Sequence, residues 1–326
     1  MTKIYNQIHE KIKESKNIAL VSHKFPDGDT LGSVTALYEI IMTNFDSKNV
    51  DIVNLDWVAE KLSFLSNSEK VINRFDYEKY DLCIFLDIAN IILAWYGEKK
   101  DFPVKCLVNI DHHESNISYW DINLIETNKP STTAVLYDYF VVMGYKINKN
   151  IATSLLTWIY TDTWAFIYSN VNPETFKASA ELLDLWGNIN IITSNFFLNN
   201  TFAFVKLLKL VMKRLKISWD WVGFSYLKKE DILESGCKYE EMDWVVWRMN
   251  MLDNVKYVCF LYEKGWLVKG SLRTTRDDVD LTQYAKTYNW WWHKKACGFT
   301  LEWNIAISES NKIYVDCIDN SIINFY

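Results

Sequence analysis

Short apolar runs in the first half of this chain end on metal-ligating residue types, and that pattern constrains the fold most. Asn17 to Ser22 runs into His23, Leu82 to Leu86 into Asp87, and Cys106 to Ile110 into Asp111-His112-His113. A fourth run, Val50 to Leu55, precedes Asp56. Continuous apolar runs of this length read as strands buried on both faces. Between and after them lie helical patterns at Leu31 to Met42, Thr132 to Met143, Ile151 to Tyr160 and Pro173 to Leu185. Pro173 suits a first helical turn, where its missing N–H is not needed. The alternation predicts an α/β domain with a parallel sheet and helices on both faces.

The 326 residues suffice for two domains. The expected division is 1–188, a helical connector over 189–216, and a smaller α/β domain over 217–326. Within the last, strands are expected at Val222 to Tyr226, Tyr257 to Tyr262 and Trp266 to Leu272, and a helix at Leu281 to Tyr288. The active site is expected in the cleft between the domains. No run approaches the roughly 20 apolar residues of a membrane span, and the polar, helical N-terminus is no secretory signal. Six scattered cysteines without a C-x-x-C pair argue against zinc knuckles and redox motifs, and fit free thiols in a reducing cytoplasm. A net charge of −6 argues against coating long nucleic acid, since backbone binding needs a basic surface. Small anionic substrates remain compatible, and basic residues do gather late in the chain, among them Lys269, Arg273, Arg276, His293, Lys294 and Lys295.

Four of the five histidines fall in short motifs rich in Asp or Gly. The first is His23-Lys24-Phe25-Pro26-Asp27-Gly28-Asp29, directly after the first run and leading into a helix. Open α/β sheets bind ligands at the carboxyl ends of strands, where this loop lies. P-D-G alone is ordinary turn chemistry, but a turn does not explain His23 and the second carboxylate. Asp87, Asp111-His112-His113 and Asp162 complete the set. Asp87 or Asp162 alone would more often cap a helix or a turn, whereas adjacent imidazoles are common metal ligands. Oxygen and imidazole donors without thiolate favour Mn²⁺, with Mg²⁺ or Co²⁺ as alternatives, over structural zinc. The donors exceed the needs of one ion. Two ions about 3.5–4 Å apart, sharing a carboxylate, would use them all.

These motifs resemble the DHH phosphoesterases: HKFPDGDTLGS at His23 to Ser33, LD at Leu86 and Asp87, IDHHESN at Ile110 to Asn116, and YTDT at Tyr160 to Thr163. The C-terminal half resembles the DHHA1 domain through KGSLRT at Lys269 to Thr274 and HKKACGF at His293 to Phe299. The resemblance implies that His23, Asp27 and Asp87 hold one ion, and that Asp29, Asp87, His112 and Asp162 hold the other. Asp87 bridges, and His113 faces the substrate phosphate. Asn116, Arg273, His293 and Gly298 are implied in substrate binding. The implied enzyme is cytoplasmic, with a possible homodimeric state. It hydrolyses short single-stranded oligoribonucleotides to nucleoside monophosphates, or 3′-phosphoadenosine 5′-phosphate, and not long duplexes. Hydrolysis of linear or cyclic dinucleotides, or a catalytically inactive nucleotide-binding role, are the alternatives. One departure follows Asp87: relatives often carry an arginine and a glycine there, and Ile88 to Gly97 contain no arginine, which leaves a family contact to substrate missing or relocated.

Tryptophan stands where this family expects glycine, at Trp290 to Trp292 before His293, at Trp158 and Trp164 around Asp162, and at Trp120, Trp266 and Trp303. The chain has 15 Trp and only 10 Gly, against roughly 23 Gly at average usage of about 7%. Only 5 of the 35 basic residues are arginine, as in AT-rich genomes. The pattern reads as UGA codons translated as tryptophan where the organism inserts glycine. A base-stacking tryptophan platform and an inactive relative are the rival readings.

Overall fold

The computed structural model describes residues 1–56, 58–94, 105–158, 162–168, 170–198, 200–282, 294–301, 303–307, 313–317 and 322–324. It divides into two compact units, Met1–Asn199 and Asn200–Tyr326.

In the first unit the apolar runs become a six-stranded parallel sheet. Its strands are β1 (Asn17–Ser22), β2 (Asn49–Val53), β3 (Val71–Ile72), β4 (Leu82–Leu86), β5 (Cys106–Asp111) and β6 (Ile122–Ile125), in the order β3-β2-β1-β4-β5-β6. The order reverses between β1 and β4, which pair from Ile18 with Leu82 to Ser22 with Leu86. At such a switch point the connections leave in opposite directions and open a crevice at the strands' carboxyl ends. His23 and Asp87 are the first residues past those two ends. The central strands are buried on both faces. Ala19, Val21, Cys83, Phe85 and Leu107 form one cluster, closed by Tyr80, Ile88, Ala94 and Trp120. Their alternates Ile18, Leu20, Leu82, Ile84, Val108 and Ile110 are equally inaccessible.

Helix α1 (Thr2–Glu14) packs beside β6. α2 (Gly28–Asn44) packs on β1, β2 and β4, and α3 (Thr132–Val142) on β5; α4 (Lys149–Leu156) and α5 (Pro173–Asp184) complete that layer. α2 begins three residues before the expected Leu31, because the Asp27 side chain accepts from the N–H groups of Asp29 and Thr30 and so caps it. Pro173 does occupy the first turn of α5, behind a capping box made by Asn172 and Thr175. The segment 189–216 does not stand apart as a connector: α6 (Ile189–Thr193) belongs to the first unit and α7 (Phe202–Arg214) to the second. Phe204, Leu207 and Val211 of α7 enter the second unit's core, so that helix is anchored by burial.

The second unit is built on a five-stranded mixed sheet of β7 (Lys216–Ile217), β8 (Val222–Leu227), β9 (Tyr257–Lys264), β10 (Leu267–Arg273) and β11 (Ala296–Leu301) in the order β11-β10-β9-β8-β7, in which only β8 and β9 run parallel. α8 (Lys229–Ser235) and α9 (Met242–Met249) form the crossover. A three-stranded antiparallel sheet follows, of β12 (Trp303–Ile307), β13 (Ile313–Cys317) and β14 (Ile322–Asn324). Most of the helix expected at Leu281 to Tyr288 lies outside the described residues. Cys83, Cys106, Cys237, Cys259 and Cys297 are unbridged. Among the described residues, no helix is long and apolar enough to cross a membrane.

Leu20 is inaccessible in the middle of β1, so Leu20→Ala removes packing that the surrounding strands cannot refill. The expected loss is about 2–5 kcal/mol, read as a lower denaturation midpoint with unchanged slope in urea.

Candidate metal centre

The loop after β1, the ends of β4 and β5 and the start of α3 bring their polar side chains to one place. His23 Nε2 lies 3.7 Å from Asp27 Oδ1 and 3.4 Å from Asp87 Oδ2. His112 Nε2 lies 3.2 Å from Asp162 Oδ2, 3.7 Å from Asp87 Oδ1 and 3.9 Å from Asp29 Oδ2. Donor atoms of His23, Asp27 and Asp87, those of Asp29, His112 and Asp162, and those of Asp87, His112 and His113 form three groups, each within 4.8 Å. Asp87 stands in two of the groups and touches His112 of the third.

Each imidazole is oriented by a hydrogen bond on its far side. His23 Nδ1 sits 2.7 Å from the Lys24 carbonyl oxygen and His112 Nδ1 3.2 Å from that of Lys129. A carbonyl only accepts, so Nδ1 carries the proton and Nε2 faces the carboxylates, the arrangement of a metal-ligating histidine. His113 is turned the other way: its Nδ1 is 2.6 Å from Asp111 Oδ1.

The carboxylates are held with equal care. The N-terminus of α3 donates to Asp29, from Thr132 N at 2.7 Å and from Thr133 N and Oγ1 at 2.9 and 2.8 Å. Thr132 Oγ1 donates to Asp87 Oδ1 at 2.9 Å. Asp87 has φ 63°, a left-handed conformation that aspartate tolerates better than most residues but that still costs energy. A hydrogen bond from its N–H to the Ile110 carbonyl secures it.

The electrostatics show what this arrangement lacks. Burial, then the negative charges of Asp87 and Asp162, push Asp29 well above the ordinary carboxylate range. Burial likewise raises Asp162 to about 6. Burial opposes charge on His23 and His112, yet their carboxylate neighbours outweigh it and hold both well above the ordinary imidazole value. Burial opposes charge on Asp27 too, but His23 and the N–H groups of Thr30 and Asp29 lower it to about 2. Buried anions packed this closely need positive charge, which protons supply here. Divalent cations suit the same oxygen and imidazole donors without thiolate, so the residues present fit such ions.

Residue chemistry alone missed three supports. Asp111 looked like one member of a histidine motif; in the fold it orients His113, and His113 and His112 pull its own pKa down against burial. Asn116, expected to meet substrate, spends its amide on Asp111 Oδ2 at 2.6 Å and Asn109 Oδ1 at 2.7 Å, and its Oδ1 accepts from Ser118 N. These bonds steady Asp111. Thr132 and Thr133 carry no motif, and only their contact with a residue about a hundred positions earlier reveals them. In the second unit, Arg273 ends β10, donates from Nη1 to the carbonyls of Leu272 and Cys297, and lies 3.7 Å from Asp243. Gly298 on β11 pairs with Ser271 on β10. His293 and Trp290 to Trp292 lie outside the described residues, as do Tyr160 and Thr161.

Comparison with known proteins bears on this geometry. Residues 17–161 match the DHH family, N-terminal domain. These residues form a DHH-family N-terminal domain. That domain and the chain's relatives indicate a phosphoesterase. The chain is 24% identical over 309 residues to the bifunctional oligoribonuclease and PAP phosphatase NrnA of Bacillus subtilis, covering 92% of this chain and 93% of that one. It is 26% identical to an uncharacterized protein of Mycoplasma genitalium, covering 90% and 89%. The crystal structure of an exopolyphosphatase-related protein from Bacteroides fragilis shares the fold at a TM-score of 0.82, with 22% identity over 92% of this chain and 91% of that one.

The raised groups give a pH dependence of definite sign. Groups raised by folding stabilise below their unfolded pKa, and that contribution is lost as pH rises through the folded value. In chelator, the melting temperature of the DHH protein is therefore expected to fall as pH rises from about 4 through about 6, where Asp162 titrates, and further as His23 and His112 lose protons. Asp162→Asn removes the lower step. Added Mn²⁺ restores more stability at pH 8 than at pH 5, because there are fewer protons to displace.

Proposed function

We propose that this chain hydrolyses short 5′-phosphorylated oligoribonucleotides and 3′-phosphoadenosine 5′-phosphate with the help of two divalent cations, most naturally Mn²⁺. The observation that carries the proposal is the pair of donor groups meeting at Asp87: His23 and Asp27 on one side, and Asp29, His112 and Asp162 on the other. A relative that had abandoned catalysis would have no need for the complete set, so the inactive reading is disfavoured. Similarity across nine-tenths of the chain to an enzyme named for both activities supports the choice of substrates.

When bound, such ions neutralise charge on a phosphoryl group and lower the pKa of water enough to make it a nucleophile at neutral pH. The remaining work belongs to the chain. Asp87 contributes one oxygen to each side, its left-handed backbone aiming both between β1 and β5. The hydrogen bonds from Thr132 and Thr133 hold Asp29 in place before any ligand arrives, so little reorganisation is needed on binding. Asp111, steadied by Asn116, accepts a hydrogen bond from the Nδ1–H of His113. That leaves His113 Nε2 to donate to a phosphoryl oxygen or to the leaving group. The raised pKa of His113, set by Asp111 against the opposing effect of burial, keeps that donor proton available.

The test is Mn²⁺-dependent release of adenosine 5′-phosphate from 3′-phosphoadenosine 5′-phosphate, and of monophosphates from a 5′-phosphorylated RNA dinucleotide. Asp87→Ala is expected to abolish both turnover and Mn²⁺ uptake. His113→Ala is expected to lower kcat by about 10²–10⁴-fold with Mn²⁺ uptake retained, and Asp111→Asn by about 10–100-fold. No hydrolysis of either substrate by the intact protein at any Mn²⁺ concentration would refute the assignment.

A further inference from the structure

Three tryptophans sit in a backbone conformation that L-residues avoid. Among the described residues, eleven non-glycine positions have φ in the left-handed region. Five of these are Asp, Asn or Ser, whose short polar side chains tolerate it. Trp164, at φ 48°, Trp186, at 65°, and Trp221, at 63°, have no such excuse.

Trp186 and Trp221 stand at positions that local geometry reserves for glycine. At the end of α5, Trp186 N donates to the Leu183 carbonyl and Gly187 N to that of Leu182. These two bonds define a Schellman motif, in which the left-handed residue is normally glycine. Between β7 and β8, Trp221 N donates to the Ser218 carbonyl and Ser218 N to that of Val222. This is a tight hairpin turn followed by a left-handed residue, again a glycine position. Trp164 follows the metal-centre residue Asp162 by two and opens a left-handed run with Ala165 and Phe166. Where the chain does carry glycine at such places it behaves alike: Gly236 ends α8 at φ 74°, and Gly265 turns β9 into β10 at φ 67°.

Nor does burial compensate. Trp186 is 79% exposed and Trp221 57%, although indole is among the largest apolar surfaces a chain can hide. Trp120 and Trp158, which the sequence pattern also marks, are different. Both are buried and neither has a left-handed backbone, so the structure makes no demand for glycine at those two.

We infer that the polypeptide made in the organism carries glycine at positions 164, 186 and 221, the three codons being UGA read by a glycine-charged tRNA. The inference stands on backbone geometry and does not depend on the substrates proposed above. Its consequence near the metal centre is local: glycine at 164 removes the indole two residues after Asp162.

The decisive experiment is peptide mass spectrometry of the protein isolated from its natural source, with the three codons read from the gene. Glycine masses at all three positions over UGA codons are expected. A tryptophan mass at any of them overturns the inference. As an independent check on the recombinant chain, Trp186→Gly and Trp221→Gly are each expected to raise the melting temperature by about 2–4 °C, whereas Trp247→Gly, at a buried position on α9, lowers it. A fall for both of the first two variants would show that the left-handed backbone is not what disfavours tryptophan there.

Discussion

Asp87 is a buried anion that the fold surrounds with other buried anions. Its carboxylate reaches His23 on one side and His112 and His113 on the other, while Asp29 and Asp162 crowd the same imidazole. Charges so placed are stable only if protons or cations sit among them. The cost is distributed through the first unit. A left-handed backbone aims Asp87, the amino end of α3 is used on Asp29, and Asn116 donates to Asp111. A structural ion pair would need none of these supports. Together they describe a site prepared for a positively charged guest.

The sheet order explains why the site falls where it does. With β1 and β4 adjacent and their connections diverging, the two strand ends are left uncovered, and β5 brings its own end alongside. His23, Asp87 and Asp111 to His113 are therefore neighbours in space because parallel strands end in one plane. α2 and α3 then present their amino ends to the same crevice, where aligned N–H groups favour negative charge.

Much of this was legible in the sequence, and the limits have physical causes. β1 and β4 coincide with their expected bounds because fully buried strands are uninterrupted apolar runs. β6 was not foreseen: Ile122–Ile125 is an edge strand of four residues, only partly buried and interrupted by Asn123, too short to show a pattern. α7 read as a connector because its stripe of Phe204, Leu207 and Val211 is broken by lysines that belong to its solvent face. The six expected metal ligands do converge, since the histidine and aspartate motifs mark strand ends. The hydrogen bonds that position them were hidden, because Thr132, Thr133 and Asn116 are ordinary residues until the fold closes over long separations. The tryptophans show the reverse case. Composition signalled an anomaly, and turn hydrogen bonds together with backbone angles locate Trp186 and Trp221 as positions suited to a residue without a side chain.

The account rests on one carboxylate serving two cations. The most direct measurement is electron paramagnetic resonance of the protein titrated with Mn²⁺, paired with anomalous diffraction at the manganese edge. Two ions per chain are predicted, spin-coupled, about 3.5–4 Å apart and both in contact with Asp87. A single ion, or two uncoupled ions of which only one touches Asp87, would contradict it.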